Sequence, residues 1–341
     1  MPVIIRRLTV LAVAASLAAT ILTPPASAAD TTTDLGVTLT WGDGDLAVAG
    51  GKVFISTGDQ IVVANTQGQP TDSITGLSHV AGLAARPDGT RLYAALAGSN
   101  EVAEIDTATL AIARRIAIPA HPCPTHLALT GDRLWVGYGC AGQWQGGVLA
   151  LDLSAATPAP SAFGRRHYDA PTVTAAGSTL VVGESGSSPS DLIIYDIAGA
   201  TPVLRGEVDG YTTTNSFFRD VALTADGGNA ISACWVPANF INWNTTTFAS
   251  VREYGGSTYE GGTPVSVAIS SDDARVAAGR FGSTDVAVYD VATGATIFSG
   301  DNPAGLSTEG GLVFSGSDVY ALLMTWSTKQ LHLWRIQGLA T

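Results

Sequence analysis

Lysine is almost missing from this chain. Lys52 and Lys329 are the only two, arginine supplies the rest of the basic side chains, and the formal net charge is −12. Such an acidic chain repels phosphate backbones and anionic lipid, which argues against nucleic acid and membrane surfaces as partners. Charged residues make up 13% of the chain while glycine occurs 39 times, a balance that suits many short strands joined by tight turns. Helical periodicity is absent beyond the N-terminal segment, and no second apolar span follows it. There is no HExxH pattern, no paired-cysteine zinc spacing and no nucleophile-elbow motif, so no metal centre, cofactor or catalytic residue is expected. A Ser–His–Asp set could be drawn from the five histidines, but no motif supports one.

The first 28 residues read as a secretory signal peptide. MPVIIRR carries two arginines, LTVLAVAASLAATIL is apolar, and Ala26-Ser27-Ala28 fits a small-residue cleavage site. A retained anchor is the alternative, but the run is short and Pro24-Pro25 follows it closely. Residues 29–341 are then one domain in a secreted, extracellular or cell-surface protein. Arginine excess with abundant alanine and glycine suggests a high-GC bacterial source.

Repetition dominates what remains. Val265 to Gly300 contains four short β-type runs with a turn after each. Across the chain the third apolar run of each unit ends in Asp or Asn: Asn65, Asp106, Asp152, Asp196, Asn244 and Asp290, in steps of 41 to 48 residues. A further step reaches Arg335, where the apolar run persists without the carboxylate. Each Asp or Asn is expected to start a turn by accepting backbone N–H groups just ahead of it. Four antiparallel strands in about 45 residues make one propeller blade. Inner runs such as GGVLALDL and DLIIYDI are apolar on both faces, as blades buried between two neighbours require. The predicted fold is all-β: a seven-bladed β-propeller of four-stranded antiparallel blades. The last unit has only three strands, so the isolated strand Asp34–Trp41 is predicted to supply its fourth and close the ring.

Two of the three cysteines form a constellation. Cys123 to Cys140 reads as a hairpin turning at Gly131-Asp132, and pairing Thr130 with Arg133 sets the two cysteines across from one another. A disulfide is expected there in a secreted protein. Cys234, in AISACWV, reads as an inert core thiol.

Unit two, VAGLAARPDGTRLYAALAGSNEVAEIDTATLAIARRIAIP, resembles the YVTN repeat of bacterial propellers in Pro87-Asp88-Gly89, Leu92-Tyr93 and Ile105-Asp106-Thr107. Units five and six match more loosely. The resemblance implies a WD40-like seven-bladed ring, similar to secreted propellers that precede Ig-like repeats in high-GC bacterial surface proteins.

In such a ring the connections between blades share one face with the loops joining second and third strands, around the channel mouth. The candidate ligand-binding residues on that face are His79, Trp144, His167, Tyr168, Tyr211, Arg219, Trp235, Glu260, Arg280, Glu309 and Trp326. Exposed aromatic rings beside hydrogen-bonding groups can stack on sugars or grip peptide side chains. The residues that open the first strands include Arg219 and Glu309, two blades apart, a candidate ion pair or ligand anchor. Gly42-Asp43-Gly44-Asp45 resembles part of a calcium loop but lacks its leading acids, and is read as a turn. The favoured reading is a non-catalytic binder of an extracellular glycan, cell-wall fragment or protein, expected to be monomeric. The alternative is a lyase or lactone hydrolase using His79, His121, His167, Glu260 and Glu309 around the channel.

Overall fold

A computed structural model describes residues 29–40, 44–256, 262–282 and 284–339. The signal-peptide segment, Trp41 to Asp43 and Glu260 lie outside the described residues. Seven four-stranded antiparallel sheets are arranged as the repeat predicts, at 46–74, 80–117, 124–167, 172–208, 216–254, 263–300 and 306–336. These are blades one to seven. Among the described residues the one α-helix is a single turn, Gly210–Thr213, capped by the Asp209 carboxylate.

The apolar runs are buried on both faces because each blade is sandwiched. The core divides into seven slabs, one at each blade–blade interface. Phe54, Ile61 and Val63 meet Leu83, Leu92 and Ile105 between blades one and two, for example. Val53 and Ile55 meet Tyr320, Leu322 and Leu333 between blades one and seven.

The fourth strand of blade seven comes from the N-terminus. Thr31–Thr38 pairs antiparallel with Gln330–Ile336, with Thr31 opposite Arg335 and Thr33 opposite Leu333. The strand starts three residues earlier than predicted. Asp34 accepts the Gly36 N–H at 2.8 Å, and Gly36 takes a positive φ of 69°, so a bulge interrupts the ladder between Asp34 and Thr38. The regular pairing lies on the threonine side of that bulge.

The Asp/Asn ladder has the turn role expected of it. All six side chains accept backbone N–H bonds of 2.7–3.1 Å from residues two to four positions ahead. Arg335, in the seventh unit, instead binds Asp318 across the hairpin at 2.6 and 2.8 Å.

First strands crowd together at the axis. A Cβ built on Gly82 would sit 2.3 Å from the Thr125 carbonyl oxygen of the next blade, so only glycine fits there. The disulfide Cys123–Cys140 is present, with Cα atoms 5.2 Å apart. The hairpin keeps the predicted register from Thr130–Arg133 out to His126–Gly137. A bulge then sets Pro124 opposite Tyr138, and the disulfide closes the ladder beyond it. Cys234 is fully buried, and desolvation pushes its thiol up to about 11, consistent with an inert core residue.

Cys123→Ser with Cys140→Ser is expected to lower folding stability by about 3 kcal/mol, the value for a short closed loop. Urea denaturation checks this; an unchanged midpoint would contradict the assignment.

Candidate functional site

The first strands enclose a central channel with a cavity volume of about 740 Å³. Cys140, Ala141, Asp169, Ser185, Arg219 and Glu309 line its mouth end, where the between-blade connections meet the loops joining second to third strands.

Three aromatic pairs stand on this face. Trp144 meets Tyr168 edge-on at 5.2 Å and donates its backbone N–H to the Tyr168 carbonyl. Phe217 packs on Trp235 at 5.5 Å, and Phe281 meets Trp326 at 5.4 Å. In each pair the second ring fixes the tryptophan, which reduces the entropy a ligand must remove on stacking. Trp144 remains 60% exposed, Trp326 62% and Tyr211, on the helical turn, 81%. Two rings already carry cations: the Arg219 guanidinium lies 4.5 Å from the Trp235 centroid and Lys329 Nζ 4.0 Å from Trp326.

Arg219 and Glu309 meet across the mouth at 2.9 Å. Both side chains are about a quarter exposed, so solvent screens the pair and it adds little to stability. Its value is positional, because it holds the guanidinium over the Trp235 ring. His79 is exposed at the start of blade two, with its carbonyl accepting the Ala97 N–H.

Two candidates lie elsewhere than the sequence places them. Arg280 is 3% exposed. Its guanidinium turns inward over the Phe240 ring at 4.9 Å and donates to the Gly262 carbonyl, and burial lowers its pKa. It ties blade six to its neighbour rather than facing solvent. His167 is also 3% exposed, with Nδ1 3.2 Å from Glu184 Oε1. Glu184 is half of a network with Arg165, which also reaches Asp191 and Glu207. Burial opposes the Glu184 charge, but the His167 bond, the Asp191 N–H and Arg165 outweigh it and lower its pKa. The i, i+2 alternation of an edge strand hides such burial, because a neighbouring loop rather than the sheet covers the side chain.

The sequence reading missed His126 and Asp220 as channel groups and read Asp45 as part of a turn. Asp45, His126 and Asp220 occupy one register on the first strands of blades one, three and five, shown by Leu46 facing Ile55, Leu127 facing Val136 and Val221 facing Ser232. Asp45 Oδ2 accepts the Leu83 N–H of blade two at 2.6 Å, while Oδ1 accepts the Leu46 N–H. Asp220 repeats the device, accepting the N–H groups of Val267 in blade six and Val221 in its own strand. Desolvation by the channel walls pushes Asp45 up to about 8 and Asp220 up to about 6, and depresses His126 to about 4. All three are only partly buried and line the channel. The signal was a register one or two residues past Arg219 and Glu309, blurred by the bulges. Among the described residues no three carboxylate, imidazole or thiol groups come close enough to hold a metal ion.

No family model matches the sequence, and no curated protein matches it. Solved structures do. A chain of the mitotic checkpoint complex aligns with a TM-score of 0.70 at 15% identity, covering 97% of this chain and 100% of that one. The β-propeller domain of Cps50 (Swd1) from Myceliophteria thermophila gives 0.65 at 11%, covering 90% and 100%. A chain of Kuenenia stuttgartiensis hydrazine synthase gives 0.65 at 18%, covering 89% and 97%. The chain is a seven-bladed β-propeller. At these identities the likeness is one of fold.

Asp45 and Asp220 have folded-state pKa values above the unfolded one. Their contribution is most favourable below pH ~4 and is lost as pH rises through about 6 for Asp220 and about 8 for Asp45. The melting temperature of the wild-type propeller is therefore expected to fall by several degrees between about pH 5 and pH 9. Asp45→Asn, which keeps one acceptor oxygen, flattens that fall. Calorimetry across this range checks it; parallel profiles for the two proteins would contradict it.

Proposed function

We propose that this propeller is a secreted, non-catalytic binding protein that recognises an extracellular glycan, cell-wall fragment or protein through its channel-mouth face. One observation carries the reading: three aromatic pairs on a single face, each holding a tryptophan with exposed ring surface. Rigid aromatic platforms beside fixed hydrogen-bonding groups are the usual means of gripping sugars and peptide side chains. The fold class supports it, since propellers commonly serve as interaction scaffolds, and structural similarity extends to a chain of the mitotic checkpoint complex. Export rests on the N-terminal sequence, and the disulfide agrees with an oxidising compartment. The acidic composition argues against nucleic acid.

The lyase or lactone-hydrolase alternative needs acid–base groups that converge on one point. His121 packs edge-on against Tyr138, buried His167 faces Glu184, and Glu309 faces Arg219. Each of these groups is engaged with a different partner, which weakens the catalytic reading.

The test is a glycan, cell-wall and protein array probed with the protein recovered from culture medium. Combined Trp144→Ala, Trp235→Ala and Trp326→Ala substitution is expected to weaken binding at least tenfold, about 1.4 kcal/mol, while shifting the melting temperature by only a few degrees. Undiminished binding by the triple variant, or no wild-type ligand on any array, would overturn the proposal.

A further inference from the structure

We propose that the channel behind the mouth is a second, separate site, and that it takes a short linear alkyl diamine.

The cavity has the size of a small-molecule pocket. Its lining carries four carboxylates: Asp45, Asp169, Asp220 and Glu309. The one guanidinium among the described lining residues, Arg219, is paired with Glu309. The wall is therefore anionic and selects a cation. The described lining residues include no Phe, Tyr or Trp, so a sugar has no broad ring to stack on there. The ligating groups are too dispersed for a metal ion. A dispersed set of carboxylates between apolar walls of Leu83, Leu127, Val221 and Leu312 suits an organic cation with an alkyl spacer.

His126 adds an independent pointer. It lines the channel, and its ring nitrogens have no hydrogen-bond partner among the described residues. A neutral imidazole offers one acceptor and one donor, and here both are left to a ligand or water. The inner carboxylates also have capacity in reserve. A carboxylate has about four acceptor sites, and the backbone uses two at Asp45 and two at Asp220.

The carboxylates fall in two groups along the channel. Asp169 and Glu309 stand at the mouth end, while Asp45 and Asp220 share the register just behind them, where a Cβ built on Gly310 would sit 3.2 Å from Asp45 Oδ1. A short alkyl diamine places one ammonium in each group, and the four-carbon diamine is the probe.

Entry of the dication is coupled to a proton. Without a bound cation Asp45 holds its proton near neutral pH, because desolvation by the channel walls outweighs its two backbone N–H bonds and pushes it up to about 8. The ammonium favours the ionised carboxylate, so Asp45 releases its proton to the buffer. The titratable and charged groups facing this point are Asp220 and Arg219 from blade five, His126 from blade three, Asp169 from the connection to blade four and Glu309 from blade seven. Blades two, four and six contribute Gly82, Thr172 and Val267, which do not titrate.

The experiment is calorimetric titration of the wild-type protein with 1,4-diaminobutane. The expected result is one site with a dissociation constant below about 1 mM at pH 8, a heat that depends on the buffer's ionisation enthalpy, and at least tenfold weaker binding at pH 5.5. 1-Aminobutane binds more weakly and 1-butanol not at all. Asp220→Asn weakens binding at least tenfold and His126→Phe, which obstructs the channel, abolishes it, while Asp272→Asn on an exposed turn changes nothing. On unaltered protein, the His126 imidazole resonance moves when the diamine is added. An absence of heat and of any resonance shift at about 10 mM diamine would overturn the proposal. So would equal binding by all three variants, which would mean only general attraction to an acidic surface. Binding at the aromatic face can fail without touching this result, and the reverse holds as well.

Discussion

Thr31 to Asp34 lie beside His332 to Arg335, and this short ladder converts a row of sheets into a ring. A row of blades would leave two apolar sheet faces in water, one at each end. With the ladder made, Leu35, Val53, Ile55, Leu322 and Leu333 are buried together in the slab between the first and last blades. Closure is also cooperative. Each slab needs blades on both sides, so no blade can keep both faces covered unless its neighbours are in place. Side-chain bonds repeat the message at the seam: Asn302 donates to Thr32, and Gln330 to Asp34.

The ring sets what can happen at its axis. Seven first strands converge there, and a residue that points along the circumference meets the next blade's backbone. Gly82 gives way at one such contact. Asp45 and Asp220 use theirs to accept a foreign N–H, which staples neighbouring blades but leaves a carboxylate in a poorly solvated place. The elevated pKa values are the cost of that staple, and they place proton-sensitive groups in the channel wall. At the rim the constraint relaxes. Tryptophans stand out there from strand ends and loops, each steadied by a neighbouring ring, and Trp235 and Trp326 by a cation as well.

The architecture was legible in the sequence because a blade is a local object. Its period, its apolar third strand and the Asp or Asn that starts the next turn all lie within some 45 residues, and the disulfide lies within one hairpin. The closing strand was legible from the missing fourth strand of the last unit, though the bulge at Asp34–Gly36 moved its bounds. The site was less legible. Trp144, Trp235 and Trp326 could be placed on the mouth face by topology alone, and Arg219 and Glu309 by their shared register. Arg280 and His167 could not, since each is buried against a partner in a neighbouring blade, Phe240 for Arg280 and Glu184 for His167. Asp45 was read as part of a turn, and His126 and Asp220 escaped notice, because bulges shift the first strands of five blades while those of blades one and four stay regular, which erases a periodic signal. What a ligand would meet depends on distances between blades, and those are set by closure rather than by any one repeat.

Removal of residues 29–38 followed by thermal unfolding is the most direct measurement of that dependence. The account predicts that the single cooperative transition is lost or falls by more than about 10 °C, and that a peptide of Asp30 to Thr38 added in trans restores part of it. A truncated chain that melts as one unit at the original temperature would show that the ring does not need its N-terminal strand, and the central claim would be wrong.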